Sequence, residues 1–210
     1  MRAAFADRQP SMLLLIVAFL GLFATAFQTA RKPVEYFPPS VFSPYPDVDD
    51  LTRNWFSKVL READEPSLWE DAEKQGADVY RFTWLRSFHQ PITVRLVFRP
   101  DGSADLVAKV MSGEGGYDPG HLITNDESHL VPVEAKSFLE KLQKADFWNL
   151  PATRPHMLER DGAEWIMEGV KKGKYRVVVR WSPRNGDYRD ACLYLALGLA
   201  NLRVPDPEIY

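Results

Sequence analysis

The side chains best suited to metal binding lie in the middle of the chain. His121 and His129 flank the acidic pair Asp126-Glu127, and imidazole and carboxylate groups are common ligands of transition metals. Their spacing, however, does not match an established two-histidine zinc motif. A metal site and two polar residues on an edge hairpin are therefore competing interpretations, and we favour the second.

A glycine-rich segment, SGEGGYDPG at 112–120, precedes these histidines. It lacks the Gly-Lys-Ser/Thr ending of a phosphate-binding P-loop and is not followed by a clear helix, so we interpret it as a flexible loop. A hydrolase that uses carboxylates and histidines within residues 112–134 remains an alternative. That hypothesis requires at least two of five side chains to converge in one pocket: Asp118, His121, Asp126, His129 and Glu134.

A second group of charged residues lies near the C-terminal end, where Glu164 and Glu168 alternate with apolar residues and Arg176 and Arg180 follow. Paired carboxylates can serve acid–base catalysis, but charge pairing across a hairpin explains the same pattern without catalysis. We favour the pairing.

Aromatic residues offer a third kind of site, a platform for carbohydrate or peptide. Most of them fall at predicted core positions, so packing is the preferred interpretation. The set is Trp84, Trp148, Trp165, Trp181, Tyr80 and Tyr175. Cys192, the single cysteine, lies in the apolar run ACLYLAL and is predicted to be a buried hydrophobe, not a reactive thiol.

The sequence contains no G-x-S-x-G, H-E-x-x-H or C-x-x-C motif. We therefore assign no catalytic, cofactor-binding or metal-binding residue and expect no cofactor. The absence of these motifs weakens the hypothesis that the protein is an enzyme.

Turn chemistry predicts the register of a first hairpin. PITVRLVFR (91–99) and SADLVAKVM (103–111) flank Pro100-Asp101-Gly102, which suits a three-residue loop with Gly102 left-handed. This register gives one wholly apolar face. Its pairs are Phe98 with Ala104, Leu96 with Leu106, Val94 with Ala108, and Ile92 with Val110.

The same reasoning applied to residues 162–169 and 175–181 predicts a second three-residue loop, Lys171-Lys172-Gly173. It places Trp165 opposite Val179 and Met167 opposite Val177. On the other face it pairs Glu164 with Arg180 and Glu168 with Arg176.

Hydrophobic periodicity supplies the remaining elements. A helix capped by Asp49 or Asp50 runs to Ala63, with an apolar face of Leu51, Trp55, Val59 and Leu60, and a short helix follows Pro66. A strand covers 78–88, with Tyr80, Phe82 and Trp84 on one face. Further helices cover 133–146, with an apolar stripe, and 187–202, which is buried. The elements do not alternate as βαβ units. We therefore predict an α+β fold, with an antiparallel sheet built from hairpins, helices packed on it, and a preceding N-terminal hydrophobic helix.

That N-terminal helix is predicted from Met12–Phe27, 16 residues without a charge. Small residues Ala24 and Ala26 suit cleavage of a signal peptide. Extension to Ala30 gives about 20 residues, enough for a single transmembrane anchor. Arg31-Lys32 favours the anchor, but both interpretations stay open. Either way the membrane is contacted through residues 12–30, and a short basic tail predicts that the rest is exported.

Three regions follow: 1–30 as signal peptide or anchor, 31–47 as a proline-rich spacer, and 48–210 as one α+β domain. PVEYFPPSVFSPYP at 33–46 holds five prolines, which favour an extended stalk. The chain carries 26 Lys+Arg and 29 Asp+Glu, a net charge of −3. This balance gives no basic footprint for nucleic acid.

The last 70 or so residues hold FWNLP (147–151), then Asp161-Gly162 with Trp165 and Glu168, and a closing apolar helix. This arrangement resembles uncharacterised bacterial exported or membrane-anchored proteins with a DG-x-x-W-x-x-E hairpin. The resemblance implies a shared fold and no activity.

The leading functional hypothesis is a non-enzymatic envelope protein, tethered to the membrane and facing the periplasm or secreted into it, that binds a protein or small molecule. The alternatives are the periplasmic hydrolase described above and an immunity or inhibitor protein, which would expose a patch of one charge sign.

Overall fold

The computed structural model describes residues 33–72, 78–154 and 161–210. Its centre is one six-stranded sheet in the order β4-β3-β2-β1-β5-β6, with every neighbouring pair antiparallel. The strands are β1 (Val79–Arg86), β2 (Ile92–Phe98), β3 (Ala104–Met111), β4 (Leu122–Leu130), β5 (Ala163–Lys171) and β6 (Lys174–Trp181). The predicted class, α+β with an antiparallel sheet, is confirmed.

Helices cover both faces of this sheet. They are α1 (Pro46–Glu62), α2 (Leu68–Asp71), α3 (Pro132–Lys144) and α4 (Asp187–Leu193), and α4 continues as a π-helix over Tyr194–Leu199. A 3₁₀ turn covers Asp206–Glu208. The closing helix thus ends three residues before the predicted Leu202 and changes its hydrogen-bonding pattern on the way.

Helix α1 starts earlier than predicted, because Pro46 occupies a first-turn position where its missing N–H costs nothing. Asp49 is therefore inside the helix, and its carboxylate accepts N–H groups of the preceding segment from Ser40, Phe42 and Ser43. Leu51, predicted to be on the apolar face, is 73% exposed.

The first hairpin has the predicted register. Ile92, Val94, Leu96 and Phe98 lie opposite Val110, Ala108, Leu106 and Ala104. Gly102 has φ +86°, the left-handed conformation that the three-residue loop requires.

The second hairpin differs from the predicted register. Met167 lies opposite Val178, and Ile166 opposite Val179, one position from the prediction. The loop contains two residues, because Lys172 (φ 50°) and Gly173 (φ 74°) both adopt positive φ, as in a type I′ turn. The prediction of a left-handed Gly173 is correct, but it overlooked that a lysine can take the other left-handed position. A shift of one residue exchanges the faces of the strand.

Two apolar layers result. On one face Phe82, Trp84 and Trp165 pack with α3 and α4; on the other, Leu85 and Ile166 pack with α1. Because helices cover both faces, all eight residues of β1 are buried.

The segment predicted as a spacer belongs to the folded domain. Tyr36, Phe37 and Phe42 are buried beside Phe56 of α1, and Phe37 and Phe42 meet edge to face at 5.1 Å between ring centroids. The compact unit begins at Val34, so the boundary predicted at residue 48 is displaced. The segment therefore packs through three aromatic side chains and is not an extended stalk.

The predicted hydrophobic helix at 12–30 lies outside the described residues. Within the part of the chain that the structure describes, no helix has the length and apolar character needed to cross a bilayer.

Candidate functional site

The loop between β3 and β4 holds two of the five side chains required by the hydrolase hypothesis. Asp118 lies 3.3 Å from Lys58 Nζ, and His121 Nδ1 lies 3.1 Å from Ser112 Oγ. The loop is anchored by the Gly115 N–H, which donates to main-chain carbonyls of the β1–β2 turn. The prediction of a flexible loop did not anticipate this anchoring.

The other three side chains lie elsewhere. His129 Nδ1 contacts Asp105 at 3.1 Å, Glu134 accepts the N–H of Val131 at the start of α3, and Asp126 is exposed on β4. The five side chains therefore do not converge. Within residues 33–72, 78–154 and 161–210, no three His, Cys, Asp or Glu side chains are grouped to hold a metal ion.

The predicted charged face of the second hairpin is divided between the two sides of the sheet. Glu164 and Glu168 share the α1 side, whereas Arg176 and Arg180 lie on the other, as the register requires. Arg180 donates to the main-chain oxygen of Pro151 at 3.1 Å, so it covers the edge of β6. The predicted ion pairs Glu164–Arg180 and Glu168–Arg176 are therefore wrong.

Glu168 instead belongs to a buried ion cluster beneath α1, defined by Arg81, Glu168, Glu65, Arg95 and Lys109. Arg81 Nη2 lies 2.6 Å from Glu168 Oε2 and Nη1 lies 3.3 Å from Glu65 Oε2. Arg95 Nε and Lys109 Nζ each approach Glu65 at 2.9 Å. The cluster ties four adjacent strands to the connection between α1 and α2.

Burial and charge pairing have opposite effects on the pKa values in this cluster. Burial raises the pKa of Glu168 above its ordinary value, against the opposing attraction of Arg81. Burial also acts to raise the pKa of Glu65, but Arg81, Arg95 and Lys109 outweigh it, and the net direction is downward. The cluster therefore holds Glu65 as a carboxylate, a structural anchor for the three cations.

The predicted aromatic platform is mostly core. Trp84 and Trp165 are fully buried with ring centroids 4.7 Å apart. Both indole N–H groups donate to the main-chain oxygen of Tyr210, at 3.3 and 2.8 Å. Trp181, by contrast, is only partly buried. Cys192 is buried as predicted, and burial raises the pKa of its thiol, so it is unsuited to nucleophilic chemistry.

Trp181 marks an open cleft of about 700 Å³ at one end of the sheet. The cleft combines aromatic rings, two arginines, one histidine and one carboxylate. Its main lining residues are Phe88, His89, Asp161, Trp181, Arg184, Arg189 and Tyr210. Concave sites with apolar walls and a few polar groups are typical of ligand-binding pockets.

The arginines of this cleft differ from those of the ion cluster. Among the described residues, neither Arg184 nor Arg189 has a carboxylate oxygen within 4 Å. The Arg189 guanidinium carbon lies 5.9 Å from the centre of the Trp165 ring. The nearby carboxylates of Glu208 and Asp187 are paired with Arg86 and Lys144, at 2.8 and 2.7 Å.

One wall of the cleft depends on a close backbone approach. A Cβ atom on Gly162 would lie 2.5 Å from the Trp181 ring and 2.6 Å from Ser182 Oγ. Glycine is therefore required there for the Trp181 side chain to lie flat against the strand entry. Opposite, His89 Nδ1 lies 2.7 Å from the Tyr210 hydroxyl, which fixes that ring in the lining.

An exposed aromatic pair extends the rim. Phe88 is 48% exposed and Tyr117 is 65% exposed, and their rings stack at 6.1 Å between centroids. Tyr117 is held there because Gly115 and Gly116 pack directly on the backbone of the β1–β2 turn, leaving no room for a Cβ on Gly115.

This cleft is not predicted by the sequence. Its residues come from separate stretches of the chain that the β1–β5 and β5–β6 pairings bring together. In the sequence, Asp161-Gly162 is part of the DG-x-x-W-x-x-E pattern and Trp181 is predicted to pack in the core. No local signal in the sequence connects them.

No protein-family model matches the chain, and a search of curated proteins finds no significant match. The geometry of the cleft therefore carries the functional argument.

Proposed function

We propose that this protein is a non-enzymatic binding protein of the cell envelope, and that its α+β domain binds a partner through the Trp181 cleft. The observation that carries the proposal is the contrast within the cleft: partly exposed aromatic rings beside two arginines without a carboxylate partner among the described residues. Such groups are desolvated at little cost by a ligand that supplies the missing partner.

The geometry gives less support to the alternatives. The hydrolase hypothesis depended on convergence of side chains in residues 112–134, and those side chains lie apart. The inhibitor hypothesis predicts an exposed patch of one charge sign, and this cleft is not such a patch, because exposed Asp161 lines it together with Arg184.

Photo-cross-linking in intact cells tests the proposal. A photoreactive phenylalanine derivative replaces Phe88 on the rim, and the matched control replaces Val131. Their exposed fractions are 48% and 49%, and Val131 lies at the opposite end of the sheet. We expect a discrete adduct from position 88 only. Equal labelling at both positions, or none at position 88, would contradict binding at this cleft.

The envelope part of the proposal rests on the uncharged segment at 12–27 and its flanking Arg2, Arg8, Arg31 and Lys32. We propose that residues 33–210 are exported, either tethered or released. Alkaline phosphatase fused after Tyr210 is then active in a bacterial host, while a reporter that works only in the cytoplasm stays silent. The reverse pattern would place the domain in the cytoplasm.

A further inference from the structure

The charge balance around the Trp181 cleft is positive. Arg184 and Arg189 line it, and Asp161 is its one acidic lining residue among those described. Asp187, close to them along the chain, is paired with Lys144, and Glu208 is paired with Arg86. Exposed Asp190 directly follows Arg189 but lies more than 4 Å from its guanidinium nitrogens. The two cleft arginines thus retain unmatched charge.

Further arginines lie behind the strap that forms this wall, residues 181–184. Arg154 and Arg180 line a second cleft of about 580 Å³ that shares Trp181 and Arg184 with the first. Burial lowers the pKa of Arg180 from its ordinary value, and repulsion from Arg154 and Arg176 adds to that lowering. Glu164 is the one carboxylate among the described lining residues of this second cleft, against three arginines, so the charge around the strap is net positive.

The remaining lining is apolar. Trp181, Tyr210, Ile209 and Phe88 present rings and a branched side chain to the same space. The Phe88–Tyr117 stack continues that surface outward. A small inorganic ion bound to the arginines would leave this apolar wall exposed to water, whereas a ligand with an apolar body would cover it.

We infer that the Trp181 cleft binds a ligand with an oxyanion group, a carboxylate or a phosphate, attached to an apolar or aromatic body. Arg184 and Arg189 hold the oxyanion, and the rings of Trp181 and Phe88 cover the body. This inference rests on the proposed function, since it names the chemistry of the partner that the cleft receives.

The two arginines suit an oxyanion because a guanidinium presents paired N–H donors that match two oxygens. Arg189 is oriented by its position over the Trp165 ring, and Trp165 is itself fixed by its hydrogen bond to Tyr210. Arg184 follows Pro183, whose ring restricts the backbone. Arg189 is thus positioned before a ligand arrives, whereas the exposed Arg184 side chain is free to adjust to the ligand.

Titration of the full chain with small probes followed by NMR tests the chemistry. The probes are 4-phenylbutyrate, phenyl phosphate, inorganic phosphate and the neutral 4-phenylbutanol. We expect at least one aromatic oxyanion to shift the Trp181 indole signal and to bind about tenfold more tightly than the alcohol or inorganic phosphate. Whichever of 4-phenylbutyrate and phenyl phosphate binds more tightly identifies the preferred oxyanion as a carboxylate or a phosphate.

Arg184→Gln and Arg189→Gln then test the assignment of the cations. Each is expected to weaken the aromatic oxyanion about tenfold while leaving the alcohol within about twofold. Arg203→Gln, an exposed arginine outside the cleft, is the matched control and changes neither. Tight binding of the alcohol, or unchanged oxyanion binding in both cleft variants, would overturn the inference. If cross-linking at position 88 succeeds in that case, the proposed function stands and only the ligand chemistry is wrong.

Discussion

The buried ion cluster beneath α1 and the Trp181 cleft use the same residue types in opposite ways. In the cluster, Arg81 and Glu168 are fully buried and each cation lies against a carboxylate. In the cleft, Arg184 is exposed, and among the described residues it has no such partner. An unpaired charge is expensive in the core but cheap at a solvated wall. The paired charges therefore fit a role in stability, and we propose that the unpaired ones serve recognition.

Removing one partner of a buried ion pair in the cluster tests this comparison with the largest expected effect. Arg81→Met leaves Glu168 buried without its cation, and we expect a loss of about 3–5 kcal/mol in the free energy of unfolding. Urea denaturation measures it. Lys136→Met, which removes an exposed ion pair to Glu140 at 3.3 Å, is the control and should change stability little.

A double replacement sharpens that result. Arg81→Met with Glu168→Leu removes both charges, so the loss should be clearly smaller than the sum of the two single losses. Strict additivity would show that Arg81 and Glu168 do not stabilise each other, and the cluster would lose its structural role.

A substitution in the wall of the cleft should have the next largest effect on the free energy of unfolding. Gly162→Ala forces a Cβ to within 2.5 Å of the Trp181 ring, and we expect a loss of about 1–3 kcal/mol together with a displaced Trp181. Gly186→Ala is the comparison, because its Cβ meets nothing within 4 Å although φ is +101°. A perturbed Trp181 indole signal in both variants would mean that Gly162 has no particular role in the cleft.

As the pH falls, protonation of a buried, hydrogen-bonded carboxylate should lower the free energy of unfolding by about 1 kcal/mol, whereas protonation of an exposed carboxylate should not. Burial acts to raise the pKa of Asp49, but hydrogen bonds from Phe42, Ser40 and Ser43 outweigh it and lower the pKa. A lowered native pKa contributes stability that is present above the unfolded value of about 4 and is lost as the pH falls through the native value.

Asp49→Asn should therefore reduce stability at neutral pH and flatten the acid limb of a stability-versus-pH curve. Asp47→Asn, at an exposed position in the same helix, is the control. Identical acid limbs in the parent chain and Asp49→Asn would refute the role given to Asp49.

The fold was predictable where local chemistry decides it. Gly102 determines the first hairpin, and the alternation of Tyr80, Phe82 and Trp84 identifies one face of β1 correctly. The second hairpin was wrong by one residue because the backbone conformation of Lys172 is not encoded by its type.

Long-range packing was harder to predict from the sequence. Arg81 alternates with aromatics and looks like a solvent-facing residue, until a second helical layer buries it. Tyr36, Phe37 and Phe42 look like spacer residues between prolines, until α1 provides their packing surface. The cleft exists because β5 pairs with β1, whose residues lie more than 75 positions away along the chain, and that pairing leaves no short-range pattern.

We propose that Arg184 serves binding and not stability. This claim is tested most directly by placing Arg184→Gln in the chain that carries the photo-cross-linker at position 88. We predict a melting temperature within about 1 °C of the parent, with the adduct formed in intact cells strongly reduced. An undiminished adduct would contradict the claim, and so would a marked fall in melting temperature, since Arg184 would then be a structural residue like Arg81.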